Sequence, residues 1–288
     1  MDPLTVAVER GGIVESTHRV HAISVHHGEI VDAHGDPDLV TFLRSAAKPL
    51  QALLLAEAAP DLPEEELAIA CASHEARPDQ LRVAGSLLAR AGRVEDDLAC
   101  GPVEGNRLRH NCSGKHAGML LLCRLNGWPH EEYWLLEHPL QQTDLELVAG
   151  ATDLELERVG VAGDGCGVVT FAVPLRAMAL AFSRLATGQL DGAGRVVEAM
   201  LRHPELVGGP EASDTRVMRA YPGAVAKRGA EGVLCVGLPD GTGLALKAED
   251  GANRAVYPVV GHLLGIEALA ETPLENSRGE LIGRAVVR

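Results

Sequence analysis

The order of the predicted elements constrains the fold more than any other feature of this sequence. Short apolar or alternating runs near the N-terminus predict a β-hairpin or meander, and strand patterns return only towards the C-terminus. The region between them has helical periodicity. Terminal strands meet most economically in one antiparallel sheet flanked by helices, so we expect an α/β fold of the α+β type. Within this single domain of residues 1–288, residues 1–40 and 225–288 would form a sheet-containing lobe and residues 41–224 a helix-rich lobe.

The same patterns predict boundaries inside the two lobes. We expect helices over Asp153–Arg158, Val173–Ala186 and Ala255–Ala270. Gly127 should end the apolar helix that follows NCSGKH, because glycine adopts the left-handed conformation at a helix C-terminus without strain. The tail Arg284–Arg288 is predicted to be an edge strand. A cleft between sheet and helical lobe is where we expect the chemistry.

The segment RSAAKP, residues 44–49, combines a serine and a lysine three residues apart. Ser45 and Lys48 would lie one turn apart at the start of a helix, where their side chains can meet on one face. A serine becomes a good nucleophile when a base takes its proton, and a buried lysine can be that base. Pro49 fits the first turn of the helix, whose outward N–H groups would form half of an oxyanion hole. SxxK also arises by chance on capped surface helices, so a catalytic role needs support from elsewhere in the chain.

Composition excludes several classes of protein. With 46% hydrophobic residues and a formal net charge of −14, we expect a globular protein that does not bind nucleic acid. No apolar run reaches the roughly 20 residues needed to cross a bilayer, and the N-terminal segment lacks the basic and apolar parts of a secretion signal. We therefore expect no membrane partner and a cytoplasmic location. Six cysteines suit a reducing compartment, where they serve as thiols or metal ligands.

A second serine and a second lysine extend the first pair. Ser73 lies beside His74 in CASHEA, but neighbouring side chains point in different directions on most backbones, so the two do not by themselves form a dyad. Lys227, in KRGAEG, precedes a predicted strand, and a lysine that projects from a sheet towards a serine completes some acyl-transfer sites. The alternatives are a strand-to-loop junction at Ser73 and an edge lysine that prevents aggregation at Lys227.

Two glycine-rich turns concentrate residues that can bind a metal. NCSGKH contains Cys112, Lys115 and His116, and GDGCG contains Asp164 and Cys166. Two thiolates from separate loops with one or two further donors would make a tetrahedral zinc site. The spacing is not CxxC, and a cysteine ahead of a helix is more often simply buried. A lysine ligand would be unusual, since it must be neutral to donate its lone pair.

Taken together, RSAAKP, CASHE, RHNCSGKHAGML, GDGCG and KRGAEG resemble the rhizobial-type, or class 3, L-asparaginases over nearly the whole chain. NCSGKH with GDGCG is far more specific than SxxK alone. The resemblance implies a serine β-lactamase and glutaminase-like fold and a homodimer. It also implies hydrolysis of the side-chain amide of L-asparagine to L-aspartate and ammonia.

The resemblance also implies a role for particular residues. It implies two serine–lysine pairs, Ser45 with Lys48 and Ser73 with Lys227. It implies zinc held by Cys112, Lys115 and Cys166. It also implies substrate contacts from Arg44, Asp164 and His116. Lys247 is an alternative to Lys227 as the second lysine, and the KxG context favours Lys227. Glu75-Ala76 follows Ser73-His74 where smaller polar residues are expected, which puts the detail of that loop in doubt.

Other functions remain open from the sequence. A glutaminase would share the same site, and a penicillin-recognising acylase or β-lactamase would share the SxxK logic but should show SDN-like and KTG elements, which are absent. A zinc nucleobase deaminase would need HxE and PCxxC, which are also absent. A zinc-stabilised binding module without activity would need four closed ligands and no reactive serine.

Overall fold

Strands from both ends of the chain build one sheet. The structure is a computed structural model that describes residues 1–288, with eleven strands and ten α-helices. The strands are β1 (Leu4–Arg10), β2 (Ile13–His26), β3 (Glu29–His34), β4 (Val40–Phe42), β5 (Gly160–Gly163), β6 (Val169–Pro174), β7 (Val225–Gly229), β8 (Val233–Gly237), β9 (Thr242–Ala248), β10 (Glu271–Glu275) and β11 (Leu281–Val287). The helices are α1 (Lys48–Ala58), α2 (Glu64–Ala70), α3 (Pro78–Arg90), α4 (Ser113–Asn126), α5 (Pro139–Thr152), α6 (Leu175–Ala186), α7 (Ala193–Arg202), α8 (Pro204–Gly208), α9 (Ser213–Ala220) and α10 (Asn253–Leu264).

The main sheet is eight-stranded and antiparallel, in the order β10-β11-β1-β2-β9-β8-β7 with β3 also paired to β2. The long strand β2 joins the two ends of the chain, because it pairs with β1 and β3 along one edge and with β9 along the other. The predicted fold class, an antiparallel sheet of terminal strands with a helix-rich middle, is confirmed.

Helices cover both faces of this sheet. Strand β8 is buried along its whole length, α6 packs on β8 and β9, and α10 packs against the same sheet. Gly243 allows α6 to approach closely, since a Cβ at that position would lie 1.9 Å from the Ala179 carbonyl oxygen. Lys227, Cys235 and Ala245 are in register across three strands. Because side chains alternate along a strand, these three residues share the face of Gly243. Lys227 therefore points to the face of the sheet that α6 covers.

A second, three-stranded sheet in the order β4-β6-β5 lies in the middle of the chain and was not predicted. The prediction of a helix over Val173–Ala186 is wrong at its start, because residues up to Pro174 belong to β6 and α6 begins at Leu175. Every residue of β6 is buried, so the strand lacks the alternation that would distinguish it from a buried helix.

Of three other predicted helix boundaries, the structure confirms one. Only one 3-10 turn, Leu156–Arg158, forms in the predicted helix Asp153–Arg158. The last long helix ends at Leu264 rather than Ala270, and Gly265 terminates it with φ 64°. The predicted end of α4 at Gly127 is confirmed, with φ 67°.

The C-terminal strand is internal to the sheet. Residues Arg284–Val287 lie in β11, which pairs with both β10 and β1, so the prediction of an edge strand is wrong. The edge at this end of the sheet is β10, whose sequence ETPLE carries no strong strand pattern. None of the ten helices has the length and hydropathy needed to cross a bilayer.

Candidate active site

The Ser73 hydroxyl lies between two lysine amines. Ser73 follows α2, and its backbone N–H donates to the Val207 carbonyl at 2.8 Å, which anchors the loop. Lys48, at the start of α1, approaches the Ser73 Oγ to 3.0 Å, and Lys227 on β7 approaches it to 3.1 Å. Both lysines are buried, at 1% and 0% exposure. Buried amines in contact with one hydroxyl form a continuous path for a proton.

Ser45 is placed differently from the prediction. It is half-buried in the 3-10 turn Arg44–Ala47 that leads into α1, and its hydroxyl makes no hydrogen bond. The Lys48 amine instead donates to the Ala72 carbonyl at 2.6 Å and to Ser73. Lys48 therefore contacts the second serine rather than its sequence neighbour, while Ser45 keeps a free hydroxyl. The turn is strained, because Arg44 has φ 51°.

Lys227 is held by a carboxylate that the sequence analysis did not identify. Its amine lies 2.9 Å from Oδ2 of Asp214, and both side chains are 0% exposed. It also donates to the Arg228 carbonyl at 3.2 Å. Burial lowers the pKa of Lys227 to about 8, while Asp214 acts in the opposite direction. A substantial fraction of this lysine is then neutral near physiological pH.

The alternative lysine lies elsewhere. The Lys247 amine donates to the carbonyl of Glu231, in the turn before β8, and to that of Ala248, at the end of β9. It makes no hydrogen bond with Ser73. Geometry therefore brings Lys227, and not Lys247, to the second serine.

Two of the three residues predicted to bind the substrate contact each other. Arg44 Nε donates to Asp164 Oδ1 at 2.6 Å, and Gly165 N–H donates to the same oxygen at 2.8 Å. Burial raises the pKa of Asp164, but Lys115 and Arg44 outweigh it and hold the pKa below its ordinary value. An ionised carboxylate beside a guanidinium presents opposite charges a few ångströms apart, as recognition of an amino-acid zwitterion requires.

The predicted metal ligands also converge. The Lys115 amine, in the first turn of α4, lies 3.1 Å from the Cys166 sulfur. The Cys112 thiol, just before α4, donates to Asn111 Oδ1 at 3.3 Å, and the neighbouring Cys166 side chain holds the pKa of Cys112 well below its ordinary value. His116 lies beside Cys166, its Nδ1 is 2.6 Å from the Tyr133 hydroxyl, and its Nε2 is buried without a hydrogen-bond partner.

These donors fit a thiophilic divalent ion. No group of three or more histidine, cysteine, aspartate or glutamate side chains is arranged to hold a metal, so a metal here depends on the lysine as third ligand. Two cysteine sulfurs and an amine match the nitrogen and sulfur ligands that zinc prefers.

The sequence model of the family described as L-asparaginase II matches residues 6–282. The chain belongs to the L-asparaginase II family. It is therefore an amidohydrolase, and the resemblance stated from its motifs is confirmed at the level of the family. No individually curated protein has significant sequence similarity to it.

Several solved structures are similar to this asparaginase-family chain at low identity. A putative β-lactamase from Bacteroides dorei DSM 17855 shares 13% identity over 85% of this chain and 92% of its own, with a TM-score of 0.49. A probable glutaminase from Bacillus subtilis, in complex with 6-diazo-5-oxo-L-norleucine, shares 12% over 87% and 84%, with a TM-score of 0.40. Mglu shares 17% over 87% of this chain, which spans only 59% of the length of Mglu, with a TM-score of 0.38. All three scores lie below 0.5, so no role in this chain is assigned from them.

Sequence reasoning missed the residues that support the site in this asparaginase-family chain. Asp214 lies in EASDTRV, a segment with no motif, and it is one of three buried carboxylates, with Glu66 and Asp144, among the 40 acidic residues of the chain. Arg228 donates to the Ser73 carbonyl at 3.3 Å and so fixes the same loop. His74 turns away from Ser73, as expected, and pairs with the Ser113 hydroxyl at 2.8 Å. The loop at Glu75-Ala76 has an unusual backbone conformation, since Ala76 lies in the left-handed region with φ 57°.

Proposed function

We propose that the chain hydrolyses the side-chain amide of L-asparagine to L-aspartate and ammonia through an acyl-enzyme on Ser45. The observation that carries this proposal is the amine–hydroxyl–amine path from Lys48 through Ser73 to Lys227. A path of this kind supplies both the base that a serine nucleophile needs and the acid that a leaving ammonia needs. General acid–base help of this type contributes roughly 10²- to 10⁴-fold to the rate.

In the first half-reaction, Lys48 would turn its amine from the Ala72 carbonyl towards Ser45 and take the proton of the Ser45 hydroxyl as the oxygen attacks the amide carbon. The backbone N–H of Ser45 would donate to the developing oxyanion. The C–N bond then breaks, and the nitrogen leaves as ammonia with a proton supplied through Ser73 and Lys227. In the second half-reaction, water gives a proton to the same path, attacks the ester carbonyl and releases aspartate and the Ser45 hydroxyl. Ser45 suits the nucleophile role because its hydroxyl is free and half-exposed, whereas Ser73 is occupied and buried.

Substrate recognition would use the opposite charges beside Ser45. Arg44 would bind the α-carboxylate and Asp164 the α-ammonium of the substrate, exchanging their mutual contact of 2.6 Å for two contacts with the ligand. His116, which lies beside Cys166, would also contact the substrate. Asparagine rather than glutamine is the proposed substrate because the family resemblance favours it.

Cys112, Lys115 and Cys166 would hold zinc. When bound, zinc would neutralise the thiolates and hold in place the loop that carries Asp164 and the start of α4, which carries His116. This would order the pocket and tighten substrate binding. Lys115 must bind in its neutral form. Measurement of one equivalent of zinc by elemental analysis in the wild type, and its loss in Cys112→Ser and Cys166→Ser, tests this part. Retention of zinc in both variants would contradict it.

A coupled ammonia assay tests the reaction itself. We expect ammonia release from L-asparagine, much less from L-glutamine, and no cleavage of nitrocefin. Preference for glutamine would support a glutaminase, nitrocefin cleavage a β-lactamase-like acylase, and silence with every substrate a zinc-stabilised binding module.

Covalent labelling identifies the nucleophile. A diazo-ketone analogue of asparagine should alkylate Ser45, detected by peptide mass spectrometry, and Ser45→Ala should show neither label nor turnover. A label on Ser73 would transfer the nucleophile role to that serine. The homodimer implied by the resemblance stays a prediction, which sedimentation analysis can test.

A further inference from the structure

The carboxylate of Asp214 is fixed on every side. Its Oδ2 accepts from Lys227 at 2.9 Å and from the Arg228 N–H at 3.3 Å. Its Oδ1 accepts from the Thr215 N–H at 3.1 Å. The backbone closes the remaining space, because a Cβ at Gly208 would lie 2.5 Å from Oδ1. A side chain held in this way has one position, so the groups that it contacts are positioned too.

The three neighbours of the Lys227 amine differ in what they can offer. The Asp214 carboxylate and the Arg228 carbonyl can only accept hydrogen bonds, whereas the Ser73 hydroxyl can also donate. A neutral amine has two N–H groups and one lone pair. The two pure acceptors must take the two N–H groups. The lone pair of neutral Lys227 is then left facing the Ser73 hydroxyl, which lies 3.1 Å away.

We infer that Asp214 is a positioning residue that aims the lone pair of Lys227 at the Ser73 hydroxyl and so sets the direction of proton transfer. The inference rests on the proposed asparagine hydrolysis, because it assigns Asp214 to the relay that this reaction would use. Asp214 acts through Lys227 and need not touch the substrate.

An amide cannot replace this carboxylate. In Asp214→Asn, one side of the group would be an oxygen and the other an NH₂. The Thr215 N–H faces one side, and the N–H groups of Lys227 and Arg228 face the other. Whichever way the amide turns, a donor meets a donor on one side, and Lys227 also loses the negative charge.

The charge has a second consequence, on pH dependence. The groups that face Lys227 are Asp214 from α9, Lys48 from α1, Arg228 on its own strand and Cys71 from the Ser73 loop. Asp214 is the only carboxylate among them, and it raises the pKa of Lys227, while burial, Lys48 and Arg228 lower it. Its removal should therefore move the acid limb of kcat, where Lys227 becomes neutral, to lower pH.

The test is a double-mutant cycle with Asp214→Asn and Lys227→Met, measured as kcat and KM for asparagine between pH 6 and 10. We expect Asp214→Asn to lower kcat about 10²-fold, as misplacement by about 1 Å does, with little change in KM and with the acid limb at lower pH. On the Lys227→Met background, it should cause no further loss, because Asp214 acts through the lysine. Glu66→Gln, which removes another buried carboxylate whose partner is Arg90, is the matched control and should leave the acid limb in place.

Two results would overturn the inference: an equal loss of kcat from Asp214→Asn with and without Lys227, or an acid limb that does not move. Thermal melts show whether each variant is folded. If Asp214→Asn does not fold, Gly208→Ala displaces the carboxylate and keeps both charges, and wild-type kcat in that variant would contradict the inference. Failure of the proposed function looks different, since the wild type would then release no ammonia or Lys227→Met would retain full activity.

Discussion

Replacement of Ser73 by alanine tests the relay at its centre. Ser73 Oγ is the only atom that contacts both amines, at 3.0 Å from Lys48 and 3.1 Å from Lys227. The variant removes that atom and leaves the free hydroxyl of Ser45 untouched. A relay role predicts slow turnover at Ser45, whereas a nucleophile role for Ser73 predicts none.

The expected magnitude follows from the contacts. Loss of general acid–base help of 10²- to 10⁴-fold corresponds to about 3–5 kcal/mol of transition-state stabilisation, at 1.36 kcal/mol per decade. The fold should lose less, about 1–3 kcal/mol, which is the range for unmaking hydrogen bonds to charged groups. Each amine retains a second partner, the Ala72 carbonyl at 2.6 Å and Asp214 at 2.9 Å, so neither amine is left without a hydrogen bond.

Coupled ammonia release gives kcat, and a rapid-quench experiment gives the rate of acylation. We expect both to fall in Ser73→Ala while Ser45 is still labelled by a diazo-ketone analogue of asparagine. Ser86→Ala, which removes a hydroxyl on α3 that donates to Glu66, serves as the control and should keep wild-type kcat. Retention of more than half of the wild-type kcat in Ser73→Ala would refute the relay.

Three further outcomes are expected. The wild-type kcat should rise with pH through about 8, since Lys227 acts in its neutral form and burial lowers its pKa to about 8; a flat profile from pH 6 to 9 would contradict this. Arg44→Ala and Asp164→Ala should raise KM for asparagine by about 10-fold or more, the value of one charge-assisted contact of 1.5–3 kcal/mol, and an unchanged KM would remove them from substrate binding. Gly114→Ala should destabilise the fold by about 2–3 kcal/mol through overpacking, because its methyl group would lie 2.1 Å from a backbone oxygen of α2. Gly85→Ala, where the new methyl group has no atom within 4 Å, should instead stabilise α3 by up to about 1 kcal/mol. Equal melting temperatures of the two variants would refute both expectations.

The fold was predictable where the pattern of side chains decides it. Alternation at both ends of the chain predicted one antiparallel sheet, and Gly127 and Pro49 marked helix ends correctly because their backbone restrictions are local. The small second sheet was not predictable from periodicity. Strand β6 is buried on both faces and so has no alternation, and β4 is only Val40–Phe42.

The sequence predicted which serines and lysines form the site, but it did not predict which serine Lys48 contacts. The spacing of Ser45 and Lys48 suggests a contact along one helix face, but the lysine is long enough to reach Ala72 and Ser73 across the loop. Asp214 carries no motif. Its importance arises only because the sheet brings Lys227 against α9, a tertiary contact that short-range patterns do not contain.

Strand β7 has a consequence for how much variation the protein tolerates. It carries Lys227 and, two residues later, Gly229, where a Cβ would lie 2.6 Å from the Leu43 carbonyl just ahead of the Arg44–Ala47 turn. A slip of β7 by one residue past β8 would turn Lys227 to the opposite face of the sheet and break the close fit of Gly229 at the same time. An insertion or deletion in the three-residue turn Ala230–Gly232 should therefore disrupt the surroundings of both Ser45 and Ser73 and abolish activity, even if the chain still folds.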